Sequence, residues 1–167
     1  MINAPILRIS LLLLCAVLFI SCDDMDDQRE FEREAMAEPS GFTHTDSQGE
    51  VLEEDPDDWR ISPMFGASIS VEYPAYPNPT DGENVTITLR FSGTDVVAGL
   101  QVFSYYQQRE FREIYFDDSD IPLFKDIVFD PRRLDPSGVL DEARGLHRVF
   151  IYDLNDNLIT YGDIKVE

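Results

Sequence analysis

The residues best suited to bind a cation stand together near the C-terminus, in the run Asp153-Leu154-Asn155-Asp156-Asn157. Carboxylate and amide oxygens are ligands that Ca²⁺ prefers, but calcium takes six to eight of them, supplied here by too few segments. Asn and Asp also tolerate the backbone of a tight hairpin turn. We therefore interpret Asp153, Asn155, Asp156 and Asn157 as a polar turn, with a calcium site as the alternative, and we predict no cofactor.

A second acidic cluster and two histidines offer little further chemistry. Asp117, Asp118 and Asp120 lie between two predicted strands and are interpreted as a solvated turn rather than a cation site. A zinc site needs three or four ligands, and only His44 and His147 are available as histidines. A nucleophile would need a base that a third group orients. No such set is evident, and we predict that the chain is not an enzyme.

The thiol of Cys22 is the clearest candidate for covalent modification. Small Ser21 precedes it, and before that Ile9 to Ile20 forms an almost unbroken apolar stretch that follows the positive Arg8. Twelve residues span about 18 Å as a helix, which is less than the roughly 30 Å of a bilayer core. The sequence therefore predicts that residues 1–21 are an export signal that is cleaved.

The predicted cleavage site resembles the lipobox of bacterial lipoproteins, in Leu18-Phe19-Ile20-Ser21-Cys22. The small residue before the cysteine matches that family. Phe19, three residues before the cysteine, replaces the leucine that is usual at that position. The resemblance implies a diacylglycerol group on the sulfur of Cys22, and two or more acyl chains make membrane anchoring stable. We therefore expect a lipid-anchored protein, with the membrane as its first partner.

Four aspartates directly follow the cysteine, at Asp23, Asp24, Asp26 and Asp27. They resemble two opposite sorting signals of bacterial lipoproteins, one for retention in the inner membrane and one for display on the outer-membrane surface. We expect a cell-envelope location and favour the outer membrane, on either its periplasmic or its surface face.

The charge of the chain is strongly acidic. Its net charge is −20, which opposes binding to the phosphate backbone of nucleic acids. Asp23 to Asp58 contains 15 acidic and 2 basic residues. Such a segment buries too little apolar surface to offset its conformational entropy, so residues 22–58 are predicted to be a disordered acidic linker. Its role would be a spacer or, alternatively, a docking strip for a basic partner.

Alternation of apolar and polar residues dominates residues 59–167 and predicts about seven strands, most clearly Val85 to Phe91. The others are Ile69 to Tyr73, Leu100 to Tyr106, Phe111 to Phe116, Phe124 to Phe129, Leu146 to Tyr152 and Leu158 to Val166. No helix of useful length is predicted in this part of the chain. The expected fold is all-β, a single β-sandwich.

Two motifs of this region resemble a known module. They are Tyr76-Pro77-Asn78-Pro79 and the stretch from Phe150 to Asn157. The module is the immunoglobulin-like domain of the flagellar hook-capping protein, which is similar to the C-terminal secretion domain of type IX cargo. The likeness covers residues 73–167 and implies an Ig-like sandwich. The chain departs from it by Asn155-Asp156 in place of a turn glycine and by a longer insert between Ile121 and Arg144.

The expected function is that of a membrane-anchored envelope lipoprotein whose non-enzymatic Ig-like module is structural or binds an envelope protein. One alternative is a calcium- or glycan-binding surface module that uses the acidic loops or Tyr105, Tyr106 and Tyr115. A second alternative is type IX secretion cargo that ends in a sorting domain.

Overall fold

The structure is a computed structural model that describes residues 23–94, 96–106 and 110–167. This part of the chain forms one α-helix and nine strands, with a short 3₁₀-helix at Pro131–Leu134 after the seventh strand. In chain order the elements are α1 (Asp23–Ala35), β1 (His44–Thr45), β2 (Val51–Glu53), β3 (Ile69–Tyr76), β4 (Val85–Phe91), β5 (Leu100–Tyr106), β6 (Glu110–Asp117), β7 (Phe124–Phe129), β8 (Gly145–Asp153) and β9 (Leu158–Val166).

Two antiparallel sheets share one hydrophobic core. The first sheet has the strand order β3-β4-β7 and the second has the order β6-β5-β8-β9. Ile87 and Leu89 of the first sheet and Val102 and Ile151 of the second are fully buried in the same cluster. The predicted all-β sandwich is therefore confirmed. Its strands lie close to the predicted ones because their inward-facing positions were already visible as apolar residues at every second place.

The turns follow the predicted hairpins. Strands β8 and β9 pair around the run from Asp153 to Asn157, and β5 pairs with β6. The predicted turn at residues 107–109, between β5 and β6, lies outside the described residues. The insert after Ile121 contains β7 and then the 3₁₀-helix, which Asp130 caps by accepting a hydrogen bond from the backbone N–H of Arg132 at 2.9 Å.

Residues 23–58 are folded against the sandwich, which corrects the prediction of a disordered linker. Helix α1 occupies the first part, and the β1–β2 hairpin follows it. The backbone N–H of Thr45 donates to the carbonyl of Asn78 at 2.8 Å, which joins this hairpin to the sandwich. Disorder was expected from average composition alone. A few well-placed contacts outweigh that average, because Phe31 and Ala35, four residues apart on α1, are both buried.

The indole ring of Trp59 packs directly on the backbone of β9. The backbone N–H of Trp59 donates to the carbonyl of Tyr161 at 2.8 Å, and the ring covers Gly162. A Cβ atom at position 162 would lie only 2.6 Å from Cζ2 of this ring. Glycine is therefore needed here for close approach, so that the chain leading into the sandwich lies flat on its edge strand.

We predict that Gly162→Ala destabilises the fold by about 1–3 kcal/mol, the usual cost of overpacking a filled site. Trp59 is the only tryptophan of the chain, so its fluorescence reports the displacement. Urea unfolding gives the free energy, and the emission maximum is expected to shift to longer wavelength. Gly93→Ala is the control, since nothing lies within 4 Å of a Cβ there. Equal urea midpoints for the two variants would contradict this packing.

Candidate functional site

The outer face of the four-stranded sheet is aromatic. In β5, Phe103 alternates with the buried Val102, and in β8, Phe150 alternates with Val149 and Ile151. The register places Phe103 opposite Phe150, and Phe150 opposite Tyr161 of β9. The rings contact one another across the strands, with centroids 5.1–6.5 Å apart in the pairs among Phe103, Tyr105, Phe111, Phe150 and Tyr152. The second face of this sheet therefore carries its own apolar layer.

Helix α1 covers the half of this face that lies over β8 and β9. Phe31 and Ala35 are buried in a cluster with Phe150, Leu158 and Tyr161. The rings of Phe31 and Tyr161 lie 5.2 Å apart. Residues at these spacings share one face of a helix, so a narrow apolar stripe is enough to dock an otherwise acidic helix.

Arg148 joins the end of the helix to the sheet. Its Nε and Nη2 atoms donate to the two carboxylate oxygens of Asp163, each at 2.7 Å. Its Nη1 atom donates to the carbonyls of Glu34, Ala35 and Ala37 at 3.2, 3.4 and 2.8 Å. These carbonyls lie at the C-terminal end of α1, where the helix leaves acceptors unsatisfied and the macrodipole favours a cation. The side chains of the ion pair are only 6% and 2% exposed.

A second arginine reinforces this contact. Arg60 donates to the hydroxyl of Tyr161 at 2.8 Å and forms an ion pair with Glu34 of the helix. Its guanidinium carbon lies 5.9 Å from the ring centroid of Phe31 and 6.0 Å from that of Tyr161. The hydrogen bond to Glu34 raises the pKa of Arg60. Tyr161 thus lies between two cations, since Arg148 is 5.1 Å from the same ring.

Asp58 is a buried carboxylate beside the Arg148–Asp163 pair. Its oxygens accept hydrogen bonds from the backbone N–H groups of Asp163, at 3.0 Å, and Thr43, at 2.7 Å. Burial raises the pKa of Asp58 to about 7, and the neighbouring charge of Asp163 adds to the shift. Asp163 has Arg148 as its direct partner, whereas Asp58 has no cation bonded to it among the described contacts. Asp58 is therefore the carboxyl that gains a proton first.

A groove runs along α1 and opens onto the uncovered half of the sheet. It has a volume of about 510 Å³ and continues into a pocket of about 220 Å³. Met36, Tyr152 and Asp156 line both parts. The wider part is also lined by Arg29, Glu32, Arg33 and Leu158, and the pocket by Phe103 and Phe111.

The pocket has perpendicular aromatic walls and one carboxylate. The ring of Phe103 makes an angle of 83° with that of Tyr152 and of 80° with that of Phe111. Asp156 lies in the β8–β9 turn in the left-handed conformation, with φ 63°, and its Oδ1 accepts from Nε2 of Gln101 at 3.1 Å. This arrangement places a negative charge beside the faces and edges of three rings.

Asp153 and its neighbours form a tight turn. Asp153 is buried, and its Oδ1 accepts from the backbone N–H groups of Asn155 and Asn157 at 2.8 and 2.9 Å. Its Oδ2 accepts from the side-chain amide of Asn157 at 2.9 Å. The oxygens of Asp153 are thus engaged by the turn itself, while Asp156 lines the groove. Among the described residues, no group of three or more His, Cys, Asp or Glu side chains is arranged to hold a metal ion.

In the second acidic cluster, too, one aspartate is bonded within the fold and the others are exposed. Asp117 forms an ion pair with Lys125 of β7 and accepts from the hydroxyl groups of Ser119, at 2.6 Å, and Tyr115, at 3.2 Å. The hydrogen bond from Lys125 lowers the pKa of Asp117. Asp117 was expected in a solvated turn, but it links β6 of one sheet to β7 of the other. Asp118 and Asp120 are exposed.

The remaining candidate residues do not converge on one place. Tyr105 belongs to the aromatic outer face, whereas Tyr115 packs against the main core. His147 is half-buried, with Nε2 2.7 Å from the carbonyl of Ala143, and burial lowers its pKa. The side chain of Tyr106 is not among those described. Residues 1–21 and Cys22, with the predicted cleavage and lipidation, also lie outside the described residues.

The groove itself was missed from the sequence, although a signal was present. Residues Val149 to Tyr152 are apolar or aromatic without interruption, which is typical of a strand covered on both faces. A sandwich alone covers only one face of each sheet. The continuous run therefore indicated that something else packs on the outer side of β8.

Comparison with models of protein families, with curated proteins and with solved structures gave no match to this chain. Among residues 23–94, 96–106 and 110–167, no helix is both long and apolar enough to cross a membrane. The fold and the site together define an all-β sandwich with a helix docked on an aromatic outer face.

We predict that Arg148→Met destabilises the protein by about 3–5 kcal/mol, because it leaves the buried carboxylate of Asp163 without its partner. Urea unfolding measures the loss, and hydrogen exchange of the α1 amides is expected to accelerate more than that of the β3–β4 amides. Arg144→Met is the matched control, since Arg144 pairs with Asp141 at the exposed surface. Unchanged exchange in α1 would show that the guanidinium does not hold the helix.

We also predict that the contribution of Asp58 to stability falls as the pH rises from about 5 to 8. The pKa of Asp58 is higher in the folded state, about 7, than in the unfolded chain, about 4. The stabilising proton is thus present at low pH and is lost as the pH passes 7, with a decrease of about 1–3 kcal/mol. Urea unfolding at several pH values checks this. Asp58→Asn is expected to flatten the dependence, and Asp118→Asn, at an exposed position, to leave it unchanged.

Proposed function

We propose that this chain is a lipid-anchored protein of the bacterial envelope whose sandwich binds a protein partner without catalysing a reaction. The observation that carries the proposal is the groove beside α1, where aromatic and thioether side chains remain accessible. Met36 and Phe111 are each 46% exposed, and Phe116 of the same sheet face is 53% exposed. Aromatic residues and methionine are enriched at protein interfaces, and a concentration of them on an acidic surface marks an interaction site.

The position of α1 supports the anchoring half of the proposal. The helix begins at Asp23, directly after the cysteine that the lipobox resemblance marks for acylation. Its 13 residues extend over about 20 Å at 1.5 Å per residue. Since α1 lies along the sheet through Phe31 and Ala35, and Gln28 accepts from Ser62, a lipid on Cys22 would hold the sandwich close to the bilayer. The groove would then lie beside the membrane and not at the end of a long flexible linker.

The negative charge of the chain favours a partner with a basic surface. The net charge of −20 repels other acidic molecules and steers basic ones toward the surface. Such steering raises association rates and selects partners more than it adds to affinity.

A glycan-binding module is the second candidate, because aromatic side chains in a groove with polar edges are also suited to sugars. The wider part of the groove is lined by two arginines, Arg29 and Arg33, and by two carboxylates, those of Glu32 and Asp156. A glycan array separates this candidate from the first, since a protein-binding module is expected to give no sugar-dependent signal.

For the anchor, we predict that the protein extracted from native membranes begins at Cys22 and carries the mass of a diacylglycerol group. Cys22→Ala is expected to remove that mass and to release the protein into the soluble fraction. Cys15→Ala is the matched control, because Cys15 lies within the predicted signal and should leave lipidation unchanged. Intact-mass spectrometry and membrane fractionation give the readouts. A different N-terminus, or an unlipidated native protein, would refute the anchoring.

A further inference from the structure

We propose that the pocket lined by Met36, Phe103, Phe111, Tyr152 and Asp156 is a cation cage that takes one lysine or arginine side chain of a basic protein partner. The inference rests on the proposed function insofar as the occupant belongs to a protein. It adds the chemical group that the groove recognises, which the aromatic character of the groove alone does not specify.

The shape of the pocket favours a compact cation. Phe103 stands nearly perpendicular to both Tyr152 and Phe111, at 83° and 80°. The three rings therefore line the pocket in different planes, whereas a sugar ring stacks best on one flat platform. A cation held within about 6 Å of several ring centroids is attracted by the negative face of each ring. Three aromatic side chains are therefore available to one cation in the pocket.

The charge of the pocket points the same way. Asp156 supplies a carboxylate at the wall, held in place by the hydrogen bond from Gln101 at 3.1 Å. The two basic residues that line the wider part of the groove are paired elsewhere, Arg29 with Asp26 and Arg33 with Glu30. The pocket thus presents a net negative charge together with apolar walls, which suits both the charged end and the methylene stem of a long basic side chain.

The size of the pocket limits the occupant to a single group. Its volume of about 220 Å³ is below the roughly 300–1,000 Å³ of sites that hold whole drug-sized ligands. The wider part of the groove, about 510 Å³, continues from it along α1. One side chain can therefore enter the cage while the neighbouring residues of its own chain lie along the groove.

The test is a titration of the purified protein, with ¹³C-labelled phenylalanine and tyrosine rings, followed by NMR. The probe is lysine blocked by acetyl and methylamide groups at its backbone. Its matched control is the same compound acetylated at Nζ, which keeps the stem and removes the charge. The ring signals of Phe103, Phe111 and Tyr152 are expected to shift in a saturable manner with the charged compound only. Equal shifts with both compounds, or no saturable shift, would overturn the cage.

Two variants locate the binding. Phe103→Leu keeps the apolar volume and removes one aromatic face, and Asp156→Asn removes the charge while asparagine tolerates the left-handed backbone. Each is expected to weaken lysine binding by about 3- to 10-fold, in line with a cation–π or ion-pair contribution. The controls are Phe116→Leu, on the same sheet face outside the pocket, and Asp118→Asn, in an exposed loop. Undiminished binding by Asp156→Asn, which changes only an exposed turn, would refute the inference even if Phe103→Leu destabilised the fold.

The outcomes separate this inference from the proposed function. A protein partner that still binds after Phe103→Leu and Asp156→Asn would refute the cage and leave the proposed function intact. Saturable lysine binding in the cage together with a native protein that is free of lipid would keep the cage and refute the anchored protein. A neutral oligosaccharide that shifts the same rings, while lysine does not, would refute the cage in favour of a glycan ligand.

Discussion

The buried guanidinium of Arg148 is the contact on which the arrangement of this protein depends. One side chain bonds both oxygens of Asp163 on the neighbouring strand and three carbonyls at the end of α1. A buried charge is tolerated only when its donors and its charge are matched, and here strand and helix each supply part of the match. This residue therefore couples the sheet to the helix, in addition to the contacts of Phe31 and Arg60, and a change in either is transmitted to the other.

The same region shows how a chain with so much negative charge folds close to itself. Residues 23–58 contain 15 acidic and 2 basic residues, yet they pack on a sandwich that is itself acidic. Two arginines reduce the repulsion at this contact. Arg148 donates to the carbonyls at the end of the helix, and Arg60 forms an ion pair with Glu34. The remaining buried carboxylate, Asp58, is relieved by protonation because its pKa lies near 7. Two arginines and one proton thus offset the local charge, while the exposed acids remain in solvent, where repulsion is screened.

The sequence predicted the sandwich well because each strand has one face in a single core, and alternation records that directly. Val85, Ile87 and Leu89 of β4 are all fully buried. The docking of α1 was not predicted because composition averages over a segment, whereas the contact depends on Phe31, Ala35 and an arginine more than a hundred residues away. The Asp153 turn was read correctly as a turn, but its neighbour Asp156 lines the pocket. Which of four adjacent polar residues faces a cavity depends on backbone angles and pairing register, and neither can be read from residue types.

The candidate site depends on the docking of the helix. Met36 follows directly after α1 and forms a wall of the pocket, whereas Phe103, Phe111 and Tyr152 come from three strands. The pocket therefore exists in its complete form only while α1 lies on the sheet, and Arg148 holds the carbonyls on either side of Met36. A ligand that binds the complete pocket stabilises the docked helix by the same free energy with which docking favours the ligand, since coupling between two equilibria is reciprocal. Any event that weakens the hydrogen bonds of Arg148 would for that reason lower affinity at the pocket without altering a residue that touches the ligand.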